Sequence, residues 1–360
     1  MRRVLPILLT VCLLLCGCGN AEPTEPSTVP TTAAPTAAPT TQPATEPTTE
    51  PTTAPTEAAY LYEYWNPLTG EELDAPHTSR IFTVTINNVP SALPHEGVGQ
   101  ADIFFEMLVN DGATRGLALY ADPAGVEKIG SVRSARYNFV DICEAYDAIL
   151  AHAGGSNHVM NKIYNCGIDN LNGNENYFFR DNDRYYSGYD WEHILCIGGD
   201  DLIAYAESME YRTTQDAGKQ YGLTFAENVE LDGEDATSID FNFWYNTRAM
   251  EYNAEIDKYE FWQYGEASYD GLGSDEIESF KNVLLLRMEI YQDDIYHVAN
   301  IDGSGEGYYA CGGKIIPIQW HHEVETEPFT FTLMDGTPLD LEIGNSYIGF
   351  VPDTDTITWE

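Results

Sequence analysis

Basic residues are scarce in this sequence. Its 360 residues contain 17 Lys and Arg but 58 Asp and Glu, which gives a formal net charge of −41. Nucleic-acid binding requires clustered Lys and Arg that neutralise phosphates, and adsorption to anionic lipid requires a polybasic surface. We therefore exclude nucleic acid as a general partner and a basic surface as the means of membrane association.

Several sequence motifs of catalysis and ligand binding are missing. The chain has no CxxC pair or Cys/His cluster of a zinc site, and no EF-hand spacing of acidic residues. It has no G-x-S-x-G turn, no G-x-G-x-x-G loop and no phosphate-binding loop followed by lysine. The sequence thus implies no cofactor and no metal site, and no repeat of 20–50 residues indicates a solenoid or propeller.

The N-terminus has the features of a secretion signal. Met1-Arg2-Arg3 precedes an apolar run from Val4 to Leu15, which is too short for a membrane span of about 20 residues. The sequence Leu15-Cys16-Gly17-Cys18 resembles a bacterial lipobox, in which a small residue precedes the acylated cysteine. We predict a lipoprotein signal peptide over residues 1–17 with Cys18 as the lipid acceptor. Cys16 is the weaker acceptor because leucines precede it, and an ordinary signal peptide is the alternative.

The following segment lacks basic and aromatic residues. Residues 21–58 contain 13 Thr, 9 Pro, 8 Ala and 5 Glu. Such a composition cannot bury enough apolar surface to offset its conformational entropy, and frequent prolines favour an extended chain. We predict that residues 18–59 are the acylated end and a stalk, which places a folded region on the extracytoplasmic face of the cell membrane.

Four cysteines follow the stalk: Cys143, Cys166, Cys196 and Cys311. Outside the cytosol an even number permits disulfides, with three possible pairings. Cys143 and Cys196 lie in apolar patterns, which is equally typical of buried free thiols. Both alternatives stay open at this point.

Two regions of different texture predict an α+β fold. Residues 60–215 mix strand-like and helical runs and predict an α/β sandwich. Its predicted strands are 80–87, 101–109, 116–121 and 148–152, and its predicted helices are 137–147, 159–164 and 200–209. Residues 216–360 consist of short runs rich in β-branched and aromatic residues between glycine turns, and predict a mainly antiparallel β domain.

A series of motifs resembles the YerB-like lipoproteins. In order along the chain, they are Asn66-Pro67-Leu68-Thr69-Gly70, Ile86-Asn87-Asn88, Gln100-Ala101-Asp102-Ile103, Gly112-Ala113-Thr114-Arg115, the 128–136 segment KIGSVRSAR, His152-Ala153-Gly154-Gly155-Ser156 and Phe179-Arg180-Asp181. Gly303-x-Gly305-x-Gly307, Gly312-Gly313-Lys314, Trp320 and Asp335-Gly336 continue the similarity, which covers roughly residues 60–352. The resemblance implies a lipid-anchored, extracytoplasmic protein of two domains, and it implies no reaction.

The scarce arginines define a candidate ligand site. Arg133 and Arg136 lie at the predicted start of a helix, where the helix dipole disfavours cations. Gly154, Gly155 and Ser156 follow a predicted strand that ends in His152, a turn suited to bringing backbone N–H groups to an anion. We predict a shared anion site in which an Arg133 or Arg136 guanidinium lies within roughly 10 Å of Ser156, from the rises of a helix and a strand.

Each of these residues also has an ordinary structural interpretation. The arginines could pair with internal carboxylates such as Glu106 or Asp102, and Ser156 could be a helix N-cap. His152 is either a general acid or base or a satisfied, buried histidine. The aromatic residues Trp244, Trp262, Tyr264 and Trp320 could form a sugar platform or the core of the β domain.

Two functions agree with these features. The first is an envelope protein that binds a wall polymer, an envelope partner or a small anionic ligand. The second is an envelope enzyme that acts on a phosphorylated glycan or lipid-linked substrate, because the order of elements distantly resembles the LytR-CpsA-Psr phosphotransferases. In this enzyme Arg115, Arg133 and Arg136 would bind phosphate, and Asp102 would hold a divalent ion or orient an arginine.

Overall fold

The computed structural model describes residues 61–360 except 111, 174, 217, 294 and 325. The predicted signal peptide, Cys18 and the predicted stalk lie outside the described residues. The described residues belong to one compact unit and are mostly β-sheet. No helix among them is long and apolar enough to cross a membrane.

The first part of the described chain contains strands and helices. Its strands are β1 (Phe82–Asn88), β2 (Ile103–Asn110), β3 (Ala113–Tyr120), β4 (Ile129–Gly130), β5 (Ile149–His152), β6 (Asn170–Asn172), β7 (Phe179–Arg180) and β8 (Leu195–Ile197). Its α-helices are α1 (Tyr137–Ala145), α2 (Asn157–Cys166), α3 (Asn182–Tyr186) and α4 (Gly199–Ser208). Short 3-10 turns occur at Pro90–Ala92, Val98–Gln100 and Trp191–His193.

The second part contributes sixteen strands among the residues described. These are β9 (Thr224–Ala226), β10 (Glu234–Asp235), β11 (Ser238–Phe243), β12 (Asn246–Asn253), β13 (Lys258–Gln263), β14 (Glu266–Ala267), β15 (Ser279–Phe280), β16 (Asn282–Met288), β17 (Ile290–Asp293), β18 (Tyr296–Ala299), β19 (Gly303–Cys311), β20 (Lys314–His322), β21 (Thr330–Leu333), β22 (Asp340–Glu342), β23 (Ser346–Pro352) and β24 (Ile357–Trp359). Strands β11, β13, β16, β18, β20, β21 and β23 lie on runs rich in β-branched and aromatic residues. The sequence did not predict β12 or β19, and Gly303 and Gly305, which indicated a turn, lie within β19.

Both parts of the chain share one large sheet. Its order is β10-β20-β19-β16-β23-β2-β3-β1-β5-β6, with β21 paired to β20. Strand β23 lies between β2 and β16 and runs parallel to both. The strands of the second part thus extend the sheet of the first part, and most of their own pairings are antiparallel, as the sequence predicts. Every residue of β23 is buried, and only a central position covers both faces of such a strand.

A hydrophobic core lies on each face of the large sheet. Along β2, Ile103, Phe105 and Met107 pack with α1 and α2, whereas Phe104 and Leu108 pack toward the second sheet and α4. That second sheet has the order β14-β13-β12-β11-β24, with β15 paired to β13. Since side chains alternate along a strand, consecutive residues of β2 and β3 serve different cores. The same alternation separates the polar sites described next.

Candidate functional site

Three arginines converge on the helix side of the large sheet. Arg115 lies on β3 beside Leu117 and Leu119, which pack with α1. The Arg133 N–H donates to the Thr85 carbonyl on β1, and Thr85 Oγ1 donates to the Arg133 carbonyl. Arg136 is the N-cap residue of α1 and makes no side-chain capping bond. A strand, a loop paired to a neighbouring strand and a helix start thus position the three side chains.

The arginine site, which we define as Arg115, Arg133 and Arg136, is electrostatically strained. Burial, together with nearby Arg136 and Arg133, lowers the pKa of Arg115 well below its usual value. Burial also lowers the pKa of Arg136 to about 10, and Arg133 adds to this effect. Loss of hydration on burial is the main cause of both shifts, and repulsion from the neighbouring guanidinium groups adds to it. An anion placed among them would relieve it.

The arginine side chains have few partners among the residues described. Arg115 is 5% exposed and donates from one terminal nitrogen to the Ser134 carbonyl at 3.2 Å, while its Nε has no partner. Arg136 bonds to the Ser134 and Ala135 carbonyls at 3.3 and 3.1 Å and lies 5.3 Å from the Tyr296 ring centre. The Nε atoms of Arg133 and Arg136 also lack partners.

Of the three arginines, Arg133 forms an ion pair within the described part of the chain. Arg133 contacts the Glu192 carboxylate at 3.3 Å, and both side chains are partly exposed. The carboxylates expected as internal partners are engaged elsewhere. Glu106 pairs with Arg248 at 2.7 Å on the opposite face of the sheet. Asp102 accepts bonds from Asn66 Nδ2 at 2.8 Å and from the Ala121 N–H at 2.6 Å.

Asp102 lies far from the arginine site. The register of β2 and β3 pairs Met107 with Arg115 and Ile103 with Leu119. Asp102 is therefore five residues along the strand from the position of Arg115, or about 17 Å. In this position the carboxylate cannot orient an arginine of the site. This distance argues against the arginine-orienting role that the enzyme hypothesis offered for Asp102.

The glycine turn adjoins the arginine segment through two backbone hydrogen bonds. The Ala135 N–H donates to the Gly154 carbonyl at 3.0 Å, and the Ala153 N–H donates to the Arg133 carbonyl at 2.9 Å. Gly154 has a φ of +73°, which glycine adopts at little cost. Its N–H, however, donates to Asn172 Oδ1 at 2.8 Å. Gly154 therefore contributes the path of the chain, and its N–H is not free for an anion.

Ser156 and His152 have structural partners. Ser156 is the N-cap of α2 and accepts from the Val159 N–H at 3.3 Å, while Gly155 precedes it in the turn. His152 Nδ1 lies 2.8 Å from the Gly154 carbonyl, and its Nε2 lies 3.1 Å from Asn170 Oδ1. Burial lowers the pKa of His152. Both ring nitrogens are thus engaged, which favours the interpretation of a satisfied, buried histidine.

The sequence did not identify Asn110 and Tyr296 as residues of this site. Asn110 Oδ1 accepts from an Arg136 terminal nitrogen at 3.5 Å. Tyr296 lies on the β17–β18 hairpin, which Asn138 fixes to α1 through two 2.9 Å bonds with the Ala299 backbone. No local pattern could reveal these residues because Tyr296 and Arg136 are far apart in the chain. The tandem glycines and the Arg133–Arg136 spacing were the available signals.

The remaining predicted features lie elsewhere. Cys143, Cys166, Cys196 and Cys311 are all free thiols. Trp320 belongs to the core and Trp244 is exposed, while Trp262 and Tyr264 are half-buried on the second sheet. The four aromatic residues therefore do not form one platform. Among the residues described, no group of three or more His, Cys, Asp or Glu side chains is arranged to hold a metal ion.

The comparisons with known proteins agree with the fold. Two domains of a family described as a protein of unknown function (DUF3048) match the chain, the N-terminal domain at residues 68–212 and the C-terminal domain at residues 239–348. The "Putative lipoprotein YerB" of Bacillus subtilis is 27% identical over 305 residues, which cover 80% of this chain and 86% of that protein.

A solved structure shares this fold. The crystal structure of the YerB protein from Bacillus subtilis matches with a TM-score of 0.70 at 23% identity and covers 82% of this chain and 100% of that chain. The matched domains flank residue 216, where the texture of the sequence changes. The chain belongs to the YerB-like family of two-domain proteins of unknown function.

Proposed function

We propose that this protein is a lipid-anchored envelope protein whose arginine site binds an anionic, phosphate-bearing wall polymer. The observation that carries the proposal is Arg115, a nearly buried guanidinium with an unpartnered Nε, flanked by two further arginines on a strongly acidic protein. Guanidinium groups bind phosphate and carboxylate through paired, charge-assisted hydrogen bonds. The start of α1 adds the positive end of its helix dipole.

The anchor is supported by two independent features. The sequence places a small residue before Cys18 and a proline-rich segment after it, and the Bacillus subtilis relative is named as a lipoprotein. Acylation at Cys18 would hold the folded region on the extracytoplasmic face of the membrane. The Cys18→Ala variant should lose incorporation of an alkyne-labelled fatty acid, whereas Cys16→Ala should keep it. Equal labelling of both variants would refute Cys18 as the acceptor.

Binding of a defined anionic polymer tests the arginine site. Poly(glycerol phosphate) is titrated into the mature full-length chain, with uncharged dextran as the ligand control. We expect Arg115→Gln and Arg136→Gln each to weaken binding about 10- to 100-fold, since each removes a charge-assisted contact. Arg212→Gln is the matched control because Arg212 pairs with Asp147 at the surface.

The controls separate specific binding from general charge effects. An equal loss in the Arg212→Gln variant would show that net charge alone is measured. Unchanged binding in both site variants would refute the proposal. Retention of a protein partner by all the variants in a pull-down, without binding of the polymer, would support the scaffold interpretation. Because Asp102 lies away from the arginines, we do not propose the enzyme alternative.

A further inference from the structure

A cavity lies on the face of the large sheet opposite the arginine site. Its volume is about 480 Å³, within the 300–1,000 Å³ typical of small-molecule sites. Pro90, Leu93 and Pro94 form one side, and the segments that follow β13 form the other. We call this cavity the junction cleft because its walls come from both family domains. It shares no lining residue with the arginine site.

A buried acceptor without a partner lines the junction cleft. Gln263 is 2% exposed, and its Oε1 has no hydrogen-bond partner. Its Nε2 donates to Ser268 Oγ at 2.8 Å, and Ser268 Oγ donates to Glu278 Oε2 at 2.8 Å. Because Glu278 Oε2 accepts the single Ser268 hydroxyl hydrogen, Ser268 Oγ can only accept from Gln263. The Gln263 amide therefore cannot exchange the positions of its nitrogen and oxygen, and Oε1 is the atom without a hydrogen-bond partner.

The polar groups behind Gln263 hold it rigidly. Glu278 Oε1 lies 2.7 Å from His95 Nδ1, and His95 Nε2 lies 3.0 Å from Asn88 Oδ1. Asn88 Nδ2 in turn donates a hydrogen bond to Glu106 Oε1 at 2.8 Å. Leaving one buried acceptor unsatisfied costs about 1–3 kcal/mol. A ligand N–H brought into contact with Oε1 would recover this energy.

The walls specify an uncharged ligand with an apolar part. Leu93, the two prolines and Leu272 supply aliphatic surface, and Tyr264 and Tyr269 supply aromatic surface. Glu266 also lines the cleft and is exposed, and the Glu278 carboxylate lies behind Ser268. These negative charges disfavour phosphate or carboxylate ligands. The junction cleft thus differs in charge from the arginine site.

From these features we infer that the junction cleft binds an N-acetylated amino sugar. The acetamido N–H is the donor for Gln263 Oε1, the acetyl methyl packs on the aliphatic wall, and the sugar ring packs on tyrosine. A peptide added to a sheet edge pairs with a row of backbone groups. Here the prolines offer no N–H, so a sugar fits better than a peptide.

Three uncharged probes distinguish the ligand classes. Each probe is titrated into the mature full-length chain and followed by calorimetry and saturation-transfer NMR. The probes are N,N′-diacetylchitobiose, cellobiose, which lacks the acetamido groups, and the blocked tripeptide acetyl-Ala-Ala-Ala-amide. We expect saturable binding of diacetylchitobiose. Cellobiose should bind about 3- to 10-fold more weakly because it lacks the acetamido N–H and so loses one neutral hydrogen bond. Absence of saturable diacetylchitobiose binding, equal binding of cellobiose or preference for the tripeptide would overturn the inference.

Two variants locate the binding. Gln263→Met removes the acceptor at similar volume and should weaken diacetylchitobiose about 3- to 10-fold. Tyr269→Ala tests the cleft without a buried substitution, because Tyr269 is 40% exposed, and should also weaken binding. Tyr186→Ala, at an exposed tyrosine outside the cleft, is the matched control and should bind normally. Unchanged affinity in both cleft variants would place the sugar elsewhere and refute the inference.

The two proposed sites fail independently. Arg115→Gln should bind diacetylchitobiose like the wild type, and Tyr269→Ala should bind poly(glycerol phosphate) like the wild type. Loss of both ligands in either variant would contradict two separate sites.

Discussion

Arg248 and Glu106 form a fully buried ion pair, with Arg248 Nη2 2.7 Å from Glu106 Oε1, that joins the two family domains. Tyr347 donates to the second carboxylate oxygen at 2.6 Å, and Asn88 donates to the first at 2.8 Å. The carboxylate is therefore saturated with donors from both domains. Such a pair is costly to break because one charge is left without compensation.

Breaking this pair should destabilise the whole described unit. We expect Glu106→Gln to lower the free energy of unfolding in urea by about 3–5 kcal/mol. The double variant Glu106→Leu with Arg248→Met should lose less free energy of unfolding than Glu106→Leu and Arg248→Met lose in sum, since no unpaired charge remains. The partly exposed pair Lys281–Asp257 is the control, and its disruption should cost at most about 1 kcal/mol. A loss in the double variant equal to the sum of the losses in the two single variants would show that Glu106 and Arg248 are not coupled.

Asp102 should act on stability and its pH dependence. Burial raises the pKa of Asp102 in the folded protein to about 6, compared with 3.8 for the free side chain. The folded state therefore binds the Asp102 proton more tightly than the unfolded state does. Protonation of Asp102 stabilises the fold fully below about pH 4, and this contribution is lost as the pH rises through about 6. We expect the free energy of unfolding of Asp102→Asn, measured relative to wild type, to rise by about 1–3 kcal/mol as the pH increases from 4 to 7.

Urea unfolding at several pH values measures this difference. A constant difference between the two proteins across the range would contradict the raised pKa. Binding of poly(glycerol phosphate) should be unchanged in the same variant because Asp102 lies away from the arginine site. Loss of that binding in a folded variant would restore a ligand role for Asp102.

The four cysteines should react slowly in the native state. Burial raises the pKa of the Cys143 and Cys196 thiols to about 12 and those of Cys166 and Cys311 to about 11. The thiolate is the reactive form, so little is available at pH 8. We expect iodoacetamide to label these residues slowly in the folded protein and all four rapidly in urea without reductant, as read by mass spectrometry. A requirement for reductant would show a disulfide and contradict the free thiols.

Local sequence patterns predicted the elements that flank the arginine site. The strand ending in His152, the glycine turn and the helix capped by Ser156 occur in the predicted order. The helix after Arg136 begins at Tyr137, as predicted. These features follow from apolar periodicity, glycine conformations and capping, which act within a few residues.

The sequence by itself determined the acidic charge and the scarcity of arginine. Its patterns predicted a signal and a stalk, the longer strands of the first part and three of its four α-helices. Tertiary structure decided that β23 enters the sheet beside β2, that Glu106 pairs with Arg248 142 residues away, and that Asp102 is remote from the arginines. The chain has many acidic residues, and composition cannot determine which carboxylate pairs with which cation. Strand register and alternation make that selection, because they fix the face and the position of each side chain only once the sheet has formed.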